Sequence, residues 1–527
     1  MKDKLKYYWN NKPLKTILVL AFVVRLIAVI FSQGYAFHDD HFLVVEAAQC
    51  WVEDQDWNNW MPKVQELRYP DEDPIPQGHS LFYPGVHYVL FSVMDFVGLH
   101  NPKAKMFLIR LLHALLSLII VSLGYKITKH YTNEKYAKQA GLFLALLWFM
   151  PFMSVRNLVE YVSIPVLMLG LYQLIKAEGK TNLSKVYFFA GLLLGVAFSI
   201  RFQTLVIAGG AGLVLLFRKQ WKETFLFGTG VLLAIAIIQG GIDLLVWKRP
   251  FAEFTEYVLY NLEHKSAYGH NLWYMYTTVL GGMILPPLGI FLFIGWFLTF
   301  KKYPLLFWPS FLFFMFHNYF PNKQERFIIP IIALFVIAGV IGWWSFMDKS
   351  KFWNKNKWIF KYSLVLFWIL NFIALPIFST TYSKQSRCEV MNYLGQQEDA
   401  KTILVEETVR SSTTMLPVFY AGKDLHFYTF DNDTANVVMK NTEVGEYPGH
   451  IAKLHTINAI KEKQWPTPQY IIFINEKSIE GRVSSMKEYF PNMKLAETIY
   501  PSYIDMLMRK ITPSNNNQLM FVYRTND

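Results

Sequence analysis

The chain has 527 residues, of which 53% are hydrophobic and 17% are aromatic. This composition excludes an ordinary soluble domain and indicates a polytopic membrane protein. The formal net charge of +12 does not indicate a nucleic-acid binder, because the lysines fall in short clusters between hydrophobic runs, as topology signals do.

The first hydrophobic run, residues 16–32, is long enough to cross a bilayer and lacks a signal-peptide cleavage site. It is expected to remain as an anchor with a cytoplasmic N-terminus. Arg25 within it is expected to pair with a neighbouring helix or to reach the inner headgroups. Beyond the run, Asp39 and Asp40 are expected at the outer water boundary. If a helix continues from Asp39, Glu46 shares its face and Asp40 turns aside.

The first outer loop is expected over residues 33–105. Its first half is acidic, and the apolar run at residues 81–99 is interrupted by Pro84, Gly85 and Asp95. The apolar positions of this run have amphipathic spacing, so interfacial helices are predicted here rather than a span. The acidic sequence Asp71-Glu72-Asp73 could bind a metal, but a solvated loop is the favoured interpretation.

Ten further hydrophobic runs alternate across the membrane if residues 81–99 do not cross it. They are residues 106–125, 141–152, 158–174, 186–199, 205–217, 224–245, 272–300, 305–316, 327–344 and 362–378. With this parity every basic cluster between the runs lies in the cytoplasm, as the positive-inside rule requires. About eleven transmembrane helices are therefore predicted.

The composition changes near residue 380, which separates a predicted membrane domain at 1–379 from a predicted α/β domain at 380–527 on the extracytoplasmic side. The helix-like and strand-like pieces are residues 387–397, 402–407, 425–431, 470–476 and 484–490. The sequence at 420–423 lacks the glycine spacing of a phosphate loop. Cys50 and Cys388 both lie in predicted outer segments and could pair, although free thiols are the favoured interpretation.

Several charged and polar residues gather on the predicted outer side. Ionisable groups near a membrane are costly, and those retained usually line a polar cavity or a substrate path. For Arg156 and Arg201, a helix-end cation that extends to the interface is an equal alternative. Lys323 and Arg326 lie three residues apart at a helix start, so both cations and the positive helix end can bind one anion, such as a phosphate.

The order of these motifs resembles the Alg9-like lipid-linked mannosyltransferases, glycosyltransferase family 22 of the GT-C fold. That family has an Asp-Glu pair after its first helix and a Glu seven residues past the first acid, similar to Asp39, Asp40 and Glu46. Its Arg-Ser-x-x-x-Pro and His-Lys-Glu-x-Arg-Phe motifs are similar to residues 79–84 and 322–327. The positions that depart from the family pattern are Asp40, His79, Asn322 and Gln324. These departures leave the sugar and the acceptor open.

The resemblance implies transfer of a sugar, expected to be mannose, from a polyprenyl- or dolichyl-phosphate donor to an acceptor hydroxyl outside the cytoplasm. Asp39 is the expected general base, with Asp40 beside it in the catalytic pair. Donor phosphate binding is expected from Arg201, Lys323 and Arg326. One displacement would invert the anomeric centre, and neither a metal nor another cofactor is required. The expected sugar or acceptor contacts are His38, Glu46, His79, Tyr83, Arg156, Asn157, Glu160, Asn322 and Glu325, with Asp40 and Glu46 alternatively holding Asp39.

Alternative functions remain open at this point. One is another GT-C branch, such as a protein mannosyltransferase or a lipid A aminoarabinose transferase. A second is a transporter or flippase for a lipid-linked glycan, which would be expected to have inverted repeats and broken helices. A third is a structural membrane subunit whose outer domain is a binding module. The expected partners are the bilayer, a lipid-linked sugar donor and a glycan, glycolipid or protein acceptor, in a bacterial inner membrane or, in a eukaryote, the ER membrane.

Overall fold

The computed structural model describes residues 2–56, 60–68, 70–180, 183–265, 272–406, 415–430, 439–440, 451–452, 466–511 and 518–525. The chain divides into two compact units. The first comprises Met1–Phe31, Tyr69–Tyr83 and Ile109–Thr380, and the second comprises Ser32–Arg68, Pro84–Leu108 and Thr381–Asp527. This division differs from the boundary expected at residue 380, because most of the first outer loop groups with the C-terminal segment. A change in composition marks where a chain leaves an apolar phase, and it does not show which segments pack together.

Six helices in the described part of the chain are long and apolar enough to cross a membrane. They are Pro13–Phe31, Pro102–Tyr131, Val159–Ala177, Trp221–Trp247, Glu325–Lys349 and Lys357–Thr380, and each coincides with a predicted run. The predicted run at 272–300 is instead a pair of helices, Met275–Met283 and Leu288–Leu298, bent by 116°. Pro286 and Pro287 lie in the break, and two consecutive residues without a backbone N–H remove two helical hydrogen bonds there.

Four other predicted runs are helical but shorter. They are Glu134–Leu146, Ser184–Ile200, Leu205–Phe217 and Pro304–Tyr319. A straight helix needs about 20 residues to cross the hydrocarbon core, so the count of eleven spans stays a prediction. The predicted run at 81–99 forms the helix Phe82–Phe96, whose 15 residues are also too few for a straight crossing of the membrane. This length is compatible with the predicted interfacial helix.

The first unit also has shorter helical elements. These are Lys2–Asn11, Met150–Met153, Phe202–Thr204, Ala252–Glu263 and Lys351–Lys355. The span Trp221–Trp247 contains a π-helical turn, Ala236–Gly240, and the span Glu325–Lys349 begins with a 3₁₀ segment, Glu325–Ile331.

Close helix contact fixes the end of Ser184–Ile200. It packs on Trp221–Ile235 through glycines: a Cβ added to Gly191 or to Gly230 would lie 2.1 or 2.2 Å from a backbone oxygen of the opposite helix. Small residues allow membrane helices to approach this closely. The contact therefore holds the position of Arg201, which follows this helix directly.

Arg25, inside the first span, is fully buried. Its guanidinium donates to Ser117 Oγ at 2.7 Å and to the carbonyl oxygens of Ala145 and Leu144 at 3.0 and 3.2 Å. These carbonyls lie at the end of Glu134–Leu146, where the last turn of a helix leaves carbonyls without intrahelical partners. The prediction that Arg25 pairs with a neighbouring helix is confirmed.

The second unit contains a mixed sheet of seven strands within the described residues. They are β1 Thr402–Glu406, β2 His426–Phe430, β3 Met439–Lys440, β4 Ile451–Ala452, β5 Tyr470–Ile474, β6 Lys494–Ile499 and β7 Met520–Arg524. The order is β3-β2-β1-β5-β7-β6, with β4 beside β2. β1 pairs in parallel with β2 and β5, and β7 pairs antiparallel with β5 and β6. The helices in this C-terminal part are Gln385–Gly395, Val418–Ala421, Ile479–Lys487 and Tyr503–Ile511.

The burial of each strand in this sheet explains whether the sequence predicts it. β1 and β5 are buried along their whole length, and Leu404, Ile471 and Phe473 pack against Val483 and Met486. Such strands read as continuous apolar runs, whereas the mostly exposed β6 carries no such signal. Both cysteines are buried and are not joined in a disulfide, in agreement with the favoured interpretation.

Candidate active site

The two adjacent carboxylates of the second unit differ in their surroundings. The short helix His38–His41 begins after Phe37, and Asp40 accepts hydrogen bonds from the backbone N–H groups of Phe37 and Ala36 at 2.9 and 3.3 Å. Asp40 is buried, whereas Asp39 is 42% exposed and lies 3.6 Å from Nδ1 of the half-exposed His38. Asp40 therefore organises the turn, and Asp39 is the carboxylate that a substrate can reach.

Glu46 does not share a face with Asp39. The segment Phe42–Glu46 is a π-helix followed by the α-helix Ala47–Val52, and its wider turn rotates Glu46 away from the position that an α-helix gives it. Only 3% of Glu46 is exposed. The expectation of a common face is therefore wrong, because it assumed an unbroken α-helix.

Glu46 instead connects two segments of the second unit. Its two carboxylate oxygens each lie 3.0 Å from the backbone N–H of Phe419, and Oε1 lies 3.0 Å from Nε2 of His41. The His41 ring stacks between Tyr35 and Tyr420, at centroid distances of 4.7 and 5.5 Å. These contacts fix the C-terminal end of the π-helix.

A buried ion cluster lies in the first unit. Glu160, in the first turn of Val159–Ala177, is fully buried, and its Oε1 lies 3.0 Å from Arg201 and 3.8 Å from Nε of Arg326. Both guanidinium groups also lie over the ring of Phe327, at 5.1 and 5.6 Å from its centroid. Two cations thus meet one carboxylate, which leaves an excess of positive charge at a desolvated position.

Lys323 adds a further cation to the segment that carries Arg326. It is 6% exposed, and its Nζ donates to the carbonyl of Phe320 at 2.6 Å. Burial lowers the pKa of Lys323 from its usual value, because desolvation disfavours the charged form. An anion beside the ammonium group would oppose that shift.

The remaining predicted contacts divide into buried and exposed groups. Arg156 is buried with its guanidinium 4.3 Å from the centroid of Phe152. Among the described residues, no hydrogen-bond partner reaches the buried Oδ1 atoms of Asn157 and Asn322. Such amides have capacity for a substrate hydroxyl. Glu325 is exposed, so it does not join Arg326 in the buried cluster.

The segment that contains His79 and Tyr83 is held by its backbone and by hydroxyl groups. The backbone N–H of His79 donates to Glu253 Oε2 at 3.1 Å, and its side chain is exposed. Ser80 Oγ lies 2.6 Å from the carbonyl of Ser199, and the Tyr83 hydroxyl lies 2.9 Å from Nε2 of His113. The buried Tyr83 is therefore a hydrogen-bonded packing residue in this structure.

Glu253 was not predicted from the sequence. Its backbone N–H donates to Asp243 at 3.1 Å, and Gln239 donates to the same carboxylate at 2.9 Å. Burial is the main cause that raises the pKa of Glu253 to about 7, and the nearby Asp243 raises it further. Asp243 lies in the apolar span Trp221–Trp247, and an acidic residue at such a position is the signal that could have indicated this network.

Substituting Glu253 with glutamine is expected to stabilise the protein above neutral pH. The folded state binds the Glu253 proton more tightly than the unfolded state, so wild-type stability falls as the pH rises from about 4.5 to about 7. A neutral amide removes that loss, which amounts to roughly 3 kcal/mol at most, at about 1.4 kcal/mol per pKa unit. Thermal unfolding at pH 5 and pH 8 measures it, with the exposed Glu263→Gln on the same helix as the control. Equal gains at both pH values would contradict the titration.

Within each unit the structure brings some of the predicted residues together. Glu160, Arg201 and Arg326 meet in the first unit, and His38 and Asp39 are neighbours in the second. The ring of Phe327, on which both guanidinium groups lie, was not predicted, although it stands in the same motif. The described residues contain no group of three or more His, Cys, Asp or Glu that could hold a metal ion.

Known proteins resemble this chain in sequence and in fold. The profile of the Alg9-like mannosyltransferase family matches residues 16–415. GPI alpha-1,2-mannosyltransferase 3 from Bos taurus is 24% identical over 283 residues, which are 52% of this chain and 50% of that relative. ArnT from Cupriavidus metallidurans bound to undecaprenyl phosphate has a TM-score of 0.62 at 12% identity, and its apo structure 0.58 at 13%. Both alignments cover 96% of this chain and 97% of ArnT.

The likeness to ArnT shows a common fold, that of a helical membrane protein of GT-C type. At these identities it shows the fold alone. The family match is of a different kind, because it covers well over half of the chain and includes the segments of Asp39, Glu160, Arg201 and Arg326. The protein is an integral membrane protein, and it belongs to the Alg9-like mannosyltransferase family.

Proposed function

We propose that the protein is a glycosyltransferase that moves mannose from a polyprenyl- or dolichyl-phosphate donor to an acceptor hydroxyl on the extracytoplasmic side. The observation that carries the proposal is the excess positive charge around Glu160 in a chain of a mannosyltransferase family. The bovine relative is named a mannosyltransferase, and ArnT was crystallised with undecaprenyl phosphate. The name of the relative supports mannose as the sugar, and the ligand of ArnT supports a lipid-phosphate donor.

The cations of the first unit bind the donor phosphate in this proposal. Arg201 lies 3.0 Å from Glu160, and Nε of Arg326 donates to Gln324 Oε1 at 2.8 Å, while both guanidinium groups lie over the Phe327 ring. These contacts orient the two cations before an anion binds. Guanidinium groups match the geometry of phosphate oxygens. Lys323 supplies a further charge. The phosphate leaves as an anion, so neutralising its charge stabilises the transition state without a metal or another cofactor.

Asp39 is the general base in this proposal. The acceptor hydroxyl attacks the anomeric carbon, its proton passes to Asp39, and the carbon–oxygen bond to the phosphate breaks in the same displacement. This single displacement inverts the anomeric centre. Asp39 suits the role better than Asp40 because Asp40 is buried and its two oxygens already accept backbone N–H groups, whereas Asp39 is exposed.

Asn157 and Asn322 are proposed to contact the sugar or the acceptor. Each has a buried amide oxygen that no hydrogen-bond partner reaches among the described residues. Arg156 lies beside Asn157 in the sequence and is proposed to support the same contacts. A buried amide left without a partner costs free energy, and a substrate hydroxyl that donates to it recovers that cost.

The topology is proposed from the basic clusters. A cytoplasmic N-terminus, about eleven spans and an extracytoplasmic α/β domain place all clusters between the spans in the cytoplasm. The bent pair Met275–Met283 and Leu288–Leu298 is the feature that the chain shares with transporters, which use broken helices. A transport assay therefore belongs beside the transfer assay.

The function is tested with purified protein in detergent and polyprenyl-phosphate-mannose labelled in the sugar. The expected result is release of polyprenyl phosphate together with labelled product from a panel of glycan, glycolipid and peptide acceptors. The same lipid carrying other sugars is assayed in parallel. Transfer of one of these sugars instead of mannose would indicate another GT-C branch. If folded protein consumes none of these donors but moves a lipid-linked glycan across vesicles, the transferase proposal fails.

A further inference from the structure

A cleft of about 340 Å³ lies entirely within the second unit. Its walls come from the helix Ala47–Val52 and the residues directly after it, from residues 95–105, and from residues 418–424. Apart from Glu46, none of its lining residues has been given a role in the transfer reaction above. A volume of this size is at the lower end for small-molecule pockets and accommodates one or two sugar rings.

One wall of the cleft is a continuous chain of hydrogen bonds. Lys105 Nζ donates to Gln49 Oε1 and to Asp95 Oδ2, both at 2.9 Å, and Lys105 is only 3% exposed. Gln49 Nε2 donates to Glu53 Oε1 at 2.8 Å, and His100 Nδ1 lies 2.9 Å from Asp95 Oδ1. The contacts orient Lys105 and Gln49, which lie at the centre of this chain. A carboxylate has about four lone-pair sites, so Glu53 and Asp95 keep acceptor capacity after these bonds.

The charges of the cleft disfavour an anion. The carboxylates in its lining outnumber the lysines, since Glu46, Glu53, Asp95 and Asp424 stand against Lys105 and Lys423. Burial raises the pKa of Glu53, and the nearby Asp424 and Glu46 raise it further. A phosphate or a sulfated group would meet repulsion here, in contrast to the positive cluster of the first unit. The described residues also contain no metal-binding group.

A neutral polyhydroxylated ring fits this lining. Its hydroxyl groups can donate to Glu53 and Asp95 and can accept from amide or ammonium hydrogens. Its C–H face can contact the apolar side of the cleft, to which Val418 and Phe419 contribute. Sites built to hydrogen-bond hydroxyl groups discriminate strongly against analogues that lack them, because their polar groups are then left unpaired.

We propose that this cleft binds a neutral hexose unit of the acceptor glycan. The assignment to an acceptor rests on the transferase function proposed above, whereas the binding of a neutral hexose does not. Gln49 is a positioning residue at the centre of the wall, since it connects Lys105 to Glu53. Val52 lines the same cleft without taking part in the hydrogen-bonded chain.

The test is saturation-transfer NMR on the full-length protein in a detergent without a sugar headgroup. The probes are methyl α-D-mannopyranoside, methyl α-D-glucopyranoside and mannose 6-phosphate. Wild type is expected to bind at least one neutral glycoside. Mannose 6-phosphate can also bind the cations of the first unit, so it is scored by competition, and it is expected to displace the neutral glycoside from the cleft at least tenfold more weakly than a second neutral glycoside does. Gln49→Leu and the cleft-filling Val52→Trp are each expected to weaken neutral-sugar binding at least tenfold.

Exposed Gln396 on the same unit provides the matched control, because it does not line the cleft and Gln396→Leu makes the same chemical change. Thermal unfolding of each variant separates loss of the cleft from loss of the fold, and Val52→Trp keeps the test valid if Gln49→Leu unfolds. Unchanged sugar binding in folded Val52→Trp, or binding of no neutral sugar by wild type, overturns the inference.

Consumption of polyprenyl-phosphate-mannose, including its slow hydrolysis by water, is measured on the same preparations. If donor is consumed but no neutral sugar binds, the cleft assignment fails and the transferase function stands. If neutral sugars bind through Gln49 and Val52 but no donor is consumed, the hexose site stands and the transferase function fails, and with it the description of the hexose as part of an acceptor.

Discussion

Replacing Asp39 with asparagine is expected to lower mannose transfer by about 10²- to 10⁴-fold, the usual contribution of a positioned general base. The amide keeps the shape of the side chain but cannot take the proton of the attacking hydroxyl. Because Asp39 is 42% exposed, its replacement is expected to leave the unfolding temperature unchanged. Initial rates with polyprenyl-phosphate-mannose at saturating acceptor measure the effect.

Asp40→Asn is the matched control for this prediction. Asp40 accepts the backbone N–H groups of Phe37 and Ala36 with its two oxygens, and an asparagine offers only one oxygen. The free energy of unfolding is therefore expected to fall by about 0.5–2 kcal/mol, as for the loss of a helix cap, and the unfolding temperature is expected to fall with it. If Asp40→Asn abolishes transfer in a stable protein while Asp39→Asn remains active, the roles of the two carboxylates must be exchanged.

Replacing Arg326 with methionine is expected to reduce kcat/KM for the lipid donor by about 10²- to 10³-fold, the range seen when one pre-organised electrostatic donor is removed. Arg326 is one of the two cations at Glu160 and is largely buried. Its loss removes positive charge at the place where negative charge is proposed to develop on the leaving phosphate. The acceptor KM is expected to change little, which a two-substrate kinetic analysis measures.

A second substitution separates this effect from a loss of stability. Arg326→Met leaves Glu160 with only one of its two cations, and a buried carboxylate with reduced compensation is costly. Adding Glu160→Gln neutralises that carboxylate, so the double variant is expected to recover thermal stability without recovering donor use. Recovery of donor use as well would show that Arg326 acts only by balancing Glu160.

Much of the architecture could be predicted because it depends on local composition. A membrane span is encoded by a continuous apolar run, and its direction by the lysines beside it, so the six long helices coincide with predicted runs. The buried β1 and β5 were found for the same reason. The motifs around Asp39 and Arg326 are also local, which is why residue identity and spacing were enough to recognise them.

The sequence by itself thus determined the membrane class, the positions of the six long helices and the family motifs, all of which are properties of short continuous segments. Only the tertiary structure decided that Glu160 lies against Arg201 and Arg326, that Glu46 holds the backbone of Phe419, and that Ser32–Arg68 and Pro84–Leu108 group with the C-terminal sheet. These contacts join residues far apart in the chain. Hydropathy and helical spacing carry no information about such contacts, and a single π-helical turn is enough to redirect every side chain that follows it.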